Sequence, residues 1–380
     1  MNTAGPVVLI ISSLAKSLVN FRADFIAELV AAGHRVVCAA PDMPAPTRER
    51  LLALGASVET FPMSRAGLDP RADLRTLKAL RRIVRERDID LVFAYNIKPV
   101  IYGAMAANSL GVSMVALITG LGFTFSNASP KARLLQPLTS ALYRQALRDK
   151  ASVIFQNPDD QRLFAARRIV TAAQPQCLVG GSGINLDRYP AKTGYSAPPR
   201  LRFLMLTRLI EEKGVRLYVE AARSLASRYP DAEFHLVGRP ERTPSAIDPD
   251  WLVREHERGT VVYHGPADSA HDALTRCDVF VLPSYYREGV PRSLLEALSS
   301  GLAIVTTDAP GCRETVQPGI NGYLCEPRDQ RSLTAALERV LQAPERVAGM
   351  GAASRALAVA RFDVQRVNDA QLAVIRDALR

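Results

Sequence analysis

Residues 277–307 read CDVFVLPSYYREGVPRSLLEALSSGLAIVTT. The stretch opens on "CDVFVLPS", a short β-branched and aromatic run that is a strand pattern. It continues as an apolar-periodic helix, "PRSLLEALSSG", with Pro291 at the first helical position and Gly301 just past the end. It closes on a second strand, "LAIVTT". Strand, helix and strand in so short a span make a parallel crossover, which predicts a sheet with helices on both faces. Two glutamates, Glu288 and Glu296, stand eight positions apart across the start of the helix.

The same alternation fills the chain in two blocks. Front strands read "PVVLIIS", "RVVCAA", "SVETF", "DLVFAY", "SMVALI" and "ASVIFQN". Helical patterns such as "RADFIAELVAAG" and "DPRADLRTLKALRRIVRER" lie between them. Gly33 closes the first, and Asp69-Pro70 opens the second as N-cap and first position. The segment "NLDRYPAKTGYSAPPR" (185–200) breaks the pattern with three prolines. The alternation restarts with "RFLMLT", "AEFHLVG", "TVVYHG", "CDVFVLP", "LAIVTT" and "GYLCE", then helical stretches at 328–341, 344–360 and 364–379. The predicted fold class is α/β, two doubly wound Rossmann-like domains with a cleft between them. The expected division is 1–187 for the front domain, 188–200 for a linker, 201–360 for the back domain and 361–380 for a final crossover helix.

Composition bounds the function. The chain has 380 residues, 48% hydrophobic and 23% charged, as folded two-domain proteins have. No apolar run reaches a bilayer-spanning length, and "PVVLII" is too short for a secretory signal. Five scattered cysteines without a C-x-x-C pair argue against a disulfide framework or a zinc site. A cytoplasmic location follows. The net charge is +10, and residues 1–190 hold 23 Lys+Arg against 14 Asp+Glu. That asymmetry points to an anionic partner on the front half; an arginine-rich composition bias is the plain alternative.

Ligands of open parallel sheets bind beyond the C-terminal ends of the strands. After the first strand, "ISSLAKSLVNF" offers Ser12, Ser13, Lys16 and Asn20 at a helix start and lacks the G-x-G-x-x-G of a dinucleotide site. These groups either cap the helix or meet a ligand. In the back block "RFLMLT" runs into "RLIEEKG", where Arg208 and Lys213 are placed to hold a diphosphate, or else are surface charges. No Ser, Thr, Asp or Asn caps the helix after Gly289-Val290, so its first N–H groups form an anion site. Helix side chains lean toward the N-terminus, so Glu296, roughly 7–8 Å along the axis, aims back at the same place. A carboxylate there suits a vicinal diol such as ribose, and Glu288 suits a second polyol. Phosphate between two hydroxyl-rich groups describes a nucleotide-sugar. The plain alternative has Glu288 capping the helix and Glu296 pairing with Arg292.

"TRLIEEKG" (207–214), "LPSYYREGVPRSLLEALSSGLAIVTTD" (282–308) and "GSGINLDRY" (181–189) resemble the signature segments of family-4 retaining glycosyltransferases of the GT-B fold. The resemblance spans essentially the whole chain. It implies that Glu296 binds the ribose hydroxyls and that Arg208 and Lys213 bind the diphosphate. It places Glu288 with Gly289, Val290, Pro291 and Arg292 at the transferred sugar and phosphate, and backbone near Gly238, Arg239 and Gly265 at the base. It also implies a final helix, starting near Phe362, that returns to the front domain. "MSRAGLDP" (63–70) and "GLGFTF" (120–125) narrow the similarity to bacterial transferases that extend polyprenyl-diphosphate-linked sugars. Ser13, Lys16, Asn20, Arg22, Asn96, Lys98, Thr119 and Gly120 are then the acceptor-binding candidates. Members that transfer N-acetylgalactosamine carry Ala-His-Lys where this chain has "YNIKP" (95–99), which leaves the acceptor sugar open.

Of five histidines, only His34 lies in the front block, in a helix-to-strand turn. The lack of a front-domain base disfavours inverting chemistry and suits retention, with the leaving diphosphate taking the acceptor proton. "DID" (88–90) and "DPD" (248–250) read as turns, so no cofactor and no metal is expected for the chemistry. The donor expected is a nucleotide-sugar, UDP-linked. In "RADLRTLKALRRIVRER" the basic residues Arg75, Lys78, Arg82 and Arg85 oppose Leu74, Leu77, Ile83 and Val84, and "KARLLQPLTSALYRQALRDK" (131–150) is similar. Such helices either lie on an anionic membrane surface or pack as ordinary solvated helices. No aromatic-interleaved basic motif points to nucleic acid. The partners expected are a nucleotide-sugar, a lipid-linked sugar diphosphate and a peripheral membrane contact. A nucleotide-sugar 2-epimerase and a non-catalytic basic adaptor are the competing classes.

Overall fold

The computed structural model describes residues 5–380 apart from 65–66, 68, 126–129, 149–150, 196–199, 242 and 268, with the side chains of 123 and 130–132 also left aside. Parts of the 63–70 motif, the 131–150 helix and the 188–200 linker therefore lie outside the described residues. The chain forms two compact units, Met1–Ser182 with Val364–Arg380, and Gly183–Asp363.

The first unit holds seven parallel strands: β1 (Val7–Ile11), β2 (Arg35–Ala40), β3 (Ser57–Thr60), β4 (Leu91–Tyr95), β5 (Ser113–Ile118), β6 (Ala151–Phe155) and β7 (Gln176–Leu178). Their order is β3-β2-β1-β4-β5-β6-β7. The run "VVLII" is fully buried because both sheet faces are covered. Val7, Leu9 and Ile11 enter one core, while Val8 and Ile10 enter the other. The last helix, Val364–Ala378, adds Val367 and Ile375 to that second core. Asn368 donates a 2.8 Å hydrogen bond to Glu28 from the same helix. The return of the final helix to the front unit is thus observed. Strand β7 goes unforeseen because "QCL" is three residues long and only partly buried.

The second unit holds β8 (Arg202–Leu206), β9 (Glu233–Val237), β10 (Val262–Tyr263), β11 (Val279–Leu282), β12 (Ala303–Thr307) and β13 (Gly322–Cys325) in the order β10-β9-β8-β11-β12-β13, all parallel. In both sheets the order reverses beside the first strand, between β1 and β4 and between β8 and β11. Loops leaving such a pair separate in opposite directions and leave a crevice at the C-terminal strand ends.

Three sequence expectations change. Helix Arg292–Ser299 begins one residue later than expected, so Pro291 is its N-cap with extended ψ, not its first residue. Leu74 does not join the apolar side of helix Pro70–Glu86: it is 51% exposed, and Asp73, Thr76 and Leu80 are buried instead. The span read as linker is packed on the second unit as far as Tyr195. Ile184 N–H donates to the Phe362 carbonyl at 2.7 Å, and Tyr195 donates to the Gly301 carbonyl at 2.7 Å.

Lys192 is the strongest of these anchors. Its ammonium lies 2.8 Å from Asp278 and donates to the Cys277 carbonyl at 2.6 Å, with the pair 5% and 1% exposed. The other Asp278 oxygen accepts the Arg202 amide at 3.0 Å. Removing one partner of a buried pair strands the other charge. Asp278→Ala is expected to lower unfolding free energy by about 3–5 kcal/mol, measured by chemical denaturation with a probe in the second unit.

Candidate functional site

At the reversal between β8 and β11, residues 207–214 follow one strand and residues 283–291 follow the other. Gly214 has φ +77°, and a Cβ there would overlap the Pro283 carbonyl, so glycine lets the two loops touch. The amides of Tyr285 and Tyr286 donate to the Glu212 carbonyl at 2.9 and 3.2 Å. This stitching brings Lys213 to Glu288 at 2.5 Å across 75 residues of sequence. Ser284 Oγ donates to the same carboxylate oxygen at 3.1 Å. Arg208 is exposed, with its guanidinium 5.9 Å from the Tyr286 ring centre. Arg208, Lys213 and Glu288 therefore sit around one loop. Gly289 is held from behind by Gly311, whose φ is +79° and whose Cβ position falls on the Gly289 carbonyl. Cys312 lies beneath; burial first, then the Glu288 carboxylate, push its thiol up to about 12.

Helix Arg292–Ser299 starts here with no side-chain cap on its N-terminus. Its first N–H groups and the Lys213 ammonium are donors suited to an anion. Glu296, the fifth helical residue, is 8% exposed. Tyr189 Oη donates to its Oε1 at 3.0 Å, and Arg292 Nε donates to the same oxygen at 3.2 Å. The Arg292 pairing weighed from sequence is thus present. Arg292 also donates to the Gly183 carbonyl. Burial and the Glu296 charge push the Tyr189 phenol up to about 12, so it remains a protonated donor.

Near β9, Gly238 is buried against the Thr207 carbonyl and Leu209, where a Cβ would not fit. Its amide donates to the Gly265 carbonyl at 2.9 Å, and its carbonyl accepts from Tyr263 Oη at 3.3 Å. Arg239 is exposed, and its carbonyl accepts the Leu209 amide at 3.3 Å. Val290 and Pro291 are buried. His264 stacks on His235, ring nitrogens 3.0 Å apart, and His235 also meets Glu233 at 3.2 Å.

In the first unit the reversal between β1 and β4 gathers a second polar group. Ser13 Oγ donates to Asn96 Oδ1 at 3.0 Å, and Asn96 Nδ2 donates to Thr119 Oγ1 at 3.4 Å. Asn96 has φ +72° and ψ 155°, a region few residues other than glycine adopt. Gly120 follows at φ +101°. The other acceptor candidates have different surroundings. Lys98 pairs with Asp73 at 2.8 Å. Arg22 is buried with its guanidinium 5.4 Å from the Tyr95 ring centre. Lys16 and Asn20 are exposed on helix Ala15–Ala31. Asp248 accepts the Asp250 amide at 3.0 Å as an N-cap, and Asp90 accepts the Val7 amide at 2.7 Å, so both D-x-D segments have structural roles. Tyr189, Ser284 and Gly311 were missed as site residues. Tyr189 and Gly311 act through contacts distant in sequence, whereas Ser284 meets Glu288 four residues on; Tyr189 and Ser284 both lie in segments quoted from the sequence.

Residues 200–343 match the family described as glycosyl transferases group 1, and residues 20–179 match a glycosyl transferase 4-like domain. The two matches together take in most of the chain, which belongs to these glycosyltransferases. The chain is 28% identical, over 77% of its length and 79% of the relative, to the N,N'-diacetylbacillosaminyl-diphospho-undecaprenol alpha-1,3-N-acetylgalactosaminyltransferase of Campylobacter jejuni. It is 25% identical, over 70% of each chain, to the Escherichia coli UDP-Gal:alpha-D-GlcNAc-diphosphoundecaprenol alpha-1,3-galactosyltransferase. Among solved structures, sucrose-phosphate synthase from Thermosynechococcus elongatus aligns with TM-score 0.78 and 19% identity over 98% of this chain and 99% of that one. An Anabaena protein in complex with UDP and glucose aligns with TM-score 0.75 and 18% identity over 98% and 100%. The fold is the GT-B class expected from sequence.

The support behind Gly289 is open to test. Gly311→Ala adds a Cβ at positive φ against a backbone carbonyl, at a cost of about 1–3 kcal/mol. The expected outcome is a strand and helix content matching wild type by circular dichroism, a lower melting temperature, and nucleotide affinity lowered at least about tenfold by calorimetry.

Proposed function

We propose that this glycosyltransferase moves a hexose or N-acetylhexosamine, with retention, from a UDP-sugar to a sugar carried on polyprenyl diphosphate, in bacterial surface polysaccharide or glycan assembly. The observation that carries the donor half is the meeting of Lys213, Glu288 and an uncapped helix N-terminus, with Glu296 inside that helix. The donor diphosphate lies against Lys213, Arg208 and the amides after Gly289. Glu296 takes the ribose hydroxyls, and Glu288 with Ser284 faces the transferred sugar. The relatives named above, two transferases acting on sugars of diphospho-undecaprenol, support the acceptor class.

The acceptor hydroxyl attacks the anomeric carbon as the bond to the diphosphate oxygen breaks, and that oxygen receives the hydroxyl proton. The products are a glycoside and a nucleoside diphosphate. Retention is favoured because the front unit holds one histidine, His34, whose amide bonds the Leu29 carbonyl ahead of β2, at the opposite strand ends from Ser13 and Asn96. Charge on the leaving diphosphate is stabilised by Lys213, Arg208 and the helix.

Contact with a membrane surface fits the first unit. Helices Pro70–Glu86 and Pro130–Ala146 pack on the two sides of Ile97–Leu110. They expose Leu74, Leu134 (79%) and Leu138 (48%) together with Arg75, Lys78, Arg82, Arg85, Arg133 and Arg144. Apolar side chains ringed by cations suit an anionic bilayer. Among the described residues, no helix is long and apolar enough to cross one.

A panel of UDP- and GDP-sugars with polyprenyl-diphosphate-linked sugar acceptors tests the activity; a UDP-sugar is expected to give product. An α-linked donor is expected to give an α-linked product by NMR, and a β-linked product overturns retention. Glu296→Ala removes two charge-assisted hydrogen bonds and is expected to lower kcat/KM about 100-fold or more. For the membrane contact, Leu134→Asp with Leu138→Asp is expected to abolish co-sedimentation with phosphatidylglycerol vesicles while UDP affinity is retained.

A further inference from the structure

Glu296 is held from a distance. Its Oε1 accepts from Tyr189 at 3.0 Å and from Arg292 at 3.2 Å; among the described residues no contact falls on Oε2. Tyr189 comes from the segment that enters the second unit, 107 residues before the glutamate. The tyrosine is itself fixed. It is 7% exposed, its carbonyl accepts from Ser299 Oγ at 2.6 Å and from Arg355 at 2.9 Å, and its amide bonds the Asn185 carbonyl at 3.2 Å. His271 meets its ring edge-on at 6.1 Å between centres. A hydroxyl on a ring so confined has little freedom to follow the carboxylate, so the carboxylate must come to it.

We propose that Tyr189 is a positioning residue: its O–H fixes the Glu296 carboxylate so that Oε2 is presented to the paired hydroxyls of the nucleotide ribose. This rests on the ribose role of Glu296 given above. An ionised carboxylate offers acceptors only, and a free one rotates about its last bond. With Oε1 engaged by two donors on one side, rotation is arrested, and a diol is gripped without the entropy loss of ordering the acid on binding. Arg292 alone is a weaker clamp, because its guanidinium is shared with the Gly183 carbonyl. The phenolic proton stays in place through the physiological range, since burial and the Glu296 charge push its loss up to about 12. The preference for ribose over 2′-deoxyribose is therefore set partly by Tyr189.

Tyr189→Phe keeps the ring and deletes the hydroxyl. Calorimetry with UDP and 2′-deoxy-UDP, or with the guanosine pair if wild type binds GDP instead, reads the effect. The expected result is roughly three- to tenfold weaker binding of the ribonucleotide, as for loss of one hydrogen bond to a charged group, with the deoxynucleotide changed less. The ratio of the two affinities falls toward one. A purely structural role would weaken both ligands alike, and because the ratio is taken on one protein it survives a drop in melting temperature. An unchanged ratio in Tyr189→Phe, with Glu296→Ala losing ribonucleotide binding, overturns the role of Tyr189 and leaves that of Glu296 standing. A Glu296→Ala protein that binds both ligands like wild type overturns the ribose assignment, and the Tyr189 proposal with it.

Discussion

The reversal of strand order between β8 and β11 is the constraint from which the site follows. Parallel neighbours that belong to opposite-going halves of a sheet send their loops apart, and the space between them is the one place where backbone amides and side chains from both can converge. Here that convergence is tight enough for Lys213 to lie 2.5 Å from Glu288. It depends on Gly214, where any side chain would strike the Pro283 carbonyl. The first unit repeats the device between β1 and β4, where Ser13 meets Asn96 at 3.0 Å. One topological feature thus produces two polar centres of different chemistry: the second-unit centre carries charge, and the first-unit centre is built of hydroxyls and an amide.

The Lys213–Glu288 and Lys192–Asp278 ion pairs of the second unit differ in their surroundings. Lys213 and Glu288 are mostly buried, and such pairs do little for folding once desolvation is counted. Lys192 and Asp278 form a structural counterpart, with the aspartate also binding the Arg202 amide. The difference lies in surroundings. The Lys213 pair stands beside an uncapped helix end, where a phosphate can compete with the carboxylate for the ammonium. The Lys192 pair instead has a backbone carbonyl and a backbone amide as further partners.

Much of this was legible in the sequence because it depends on local pattern. Short β-branched runs such as "VVLII" and "VFVL" read as strands with both faces covered, and they are. The Glu288–Glu296 spacing, Arg208 and Lys213 were visible as polar residues following strands. What escaped depends on contacts distant in sequence. No local signal ties Tyr189 to Glu296, or Gly311 to Gly289. The three prolines of 185–200 suggested an interdomain linker, yet Tyr189, Lys192 and Tyr195 anchor it to the second unit through several hydrogen bonds and one ion pair. Helical periodicity left open whether the apolar side of the basic helices faces a membrane or the protein; Leu74, Leu134 and Leu138 are exposed. Asn96 was an acceptor candidate through the resemblance alone; its positive φ and its bonds to Ser13 and Thr119 left no mark in the local sequence.

Hydrogen–deuterium exchange with and without UDP, and with GDP in parallel, tests most directly whether the β8–β11 crevice is the nucleotide site. Exchange is predicted to slow at the amides of 208–214 and 289–296, with the amides around Ser13 and Asn96 unchanged. Protection confined to the first unit, or absent from both of those loops under saturating nucleotide, would contradict it.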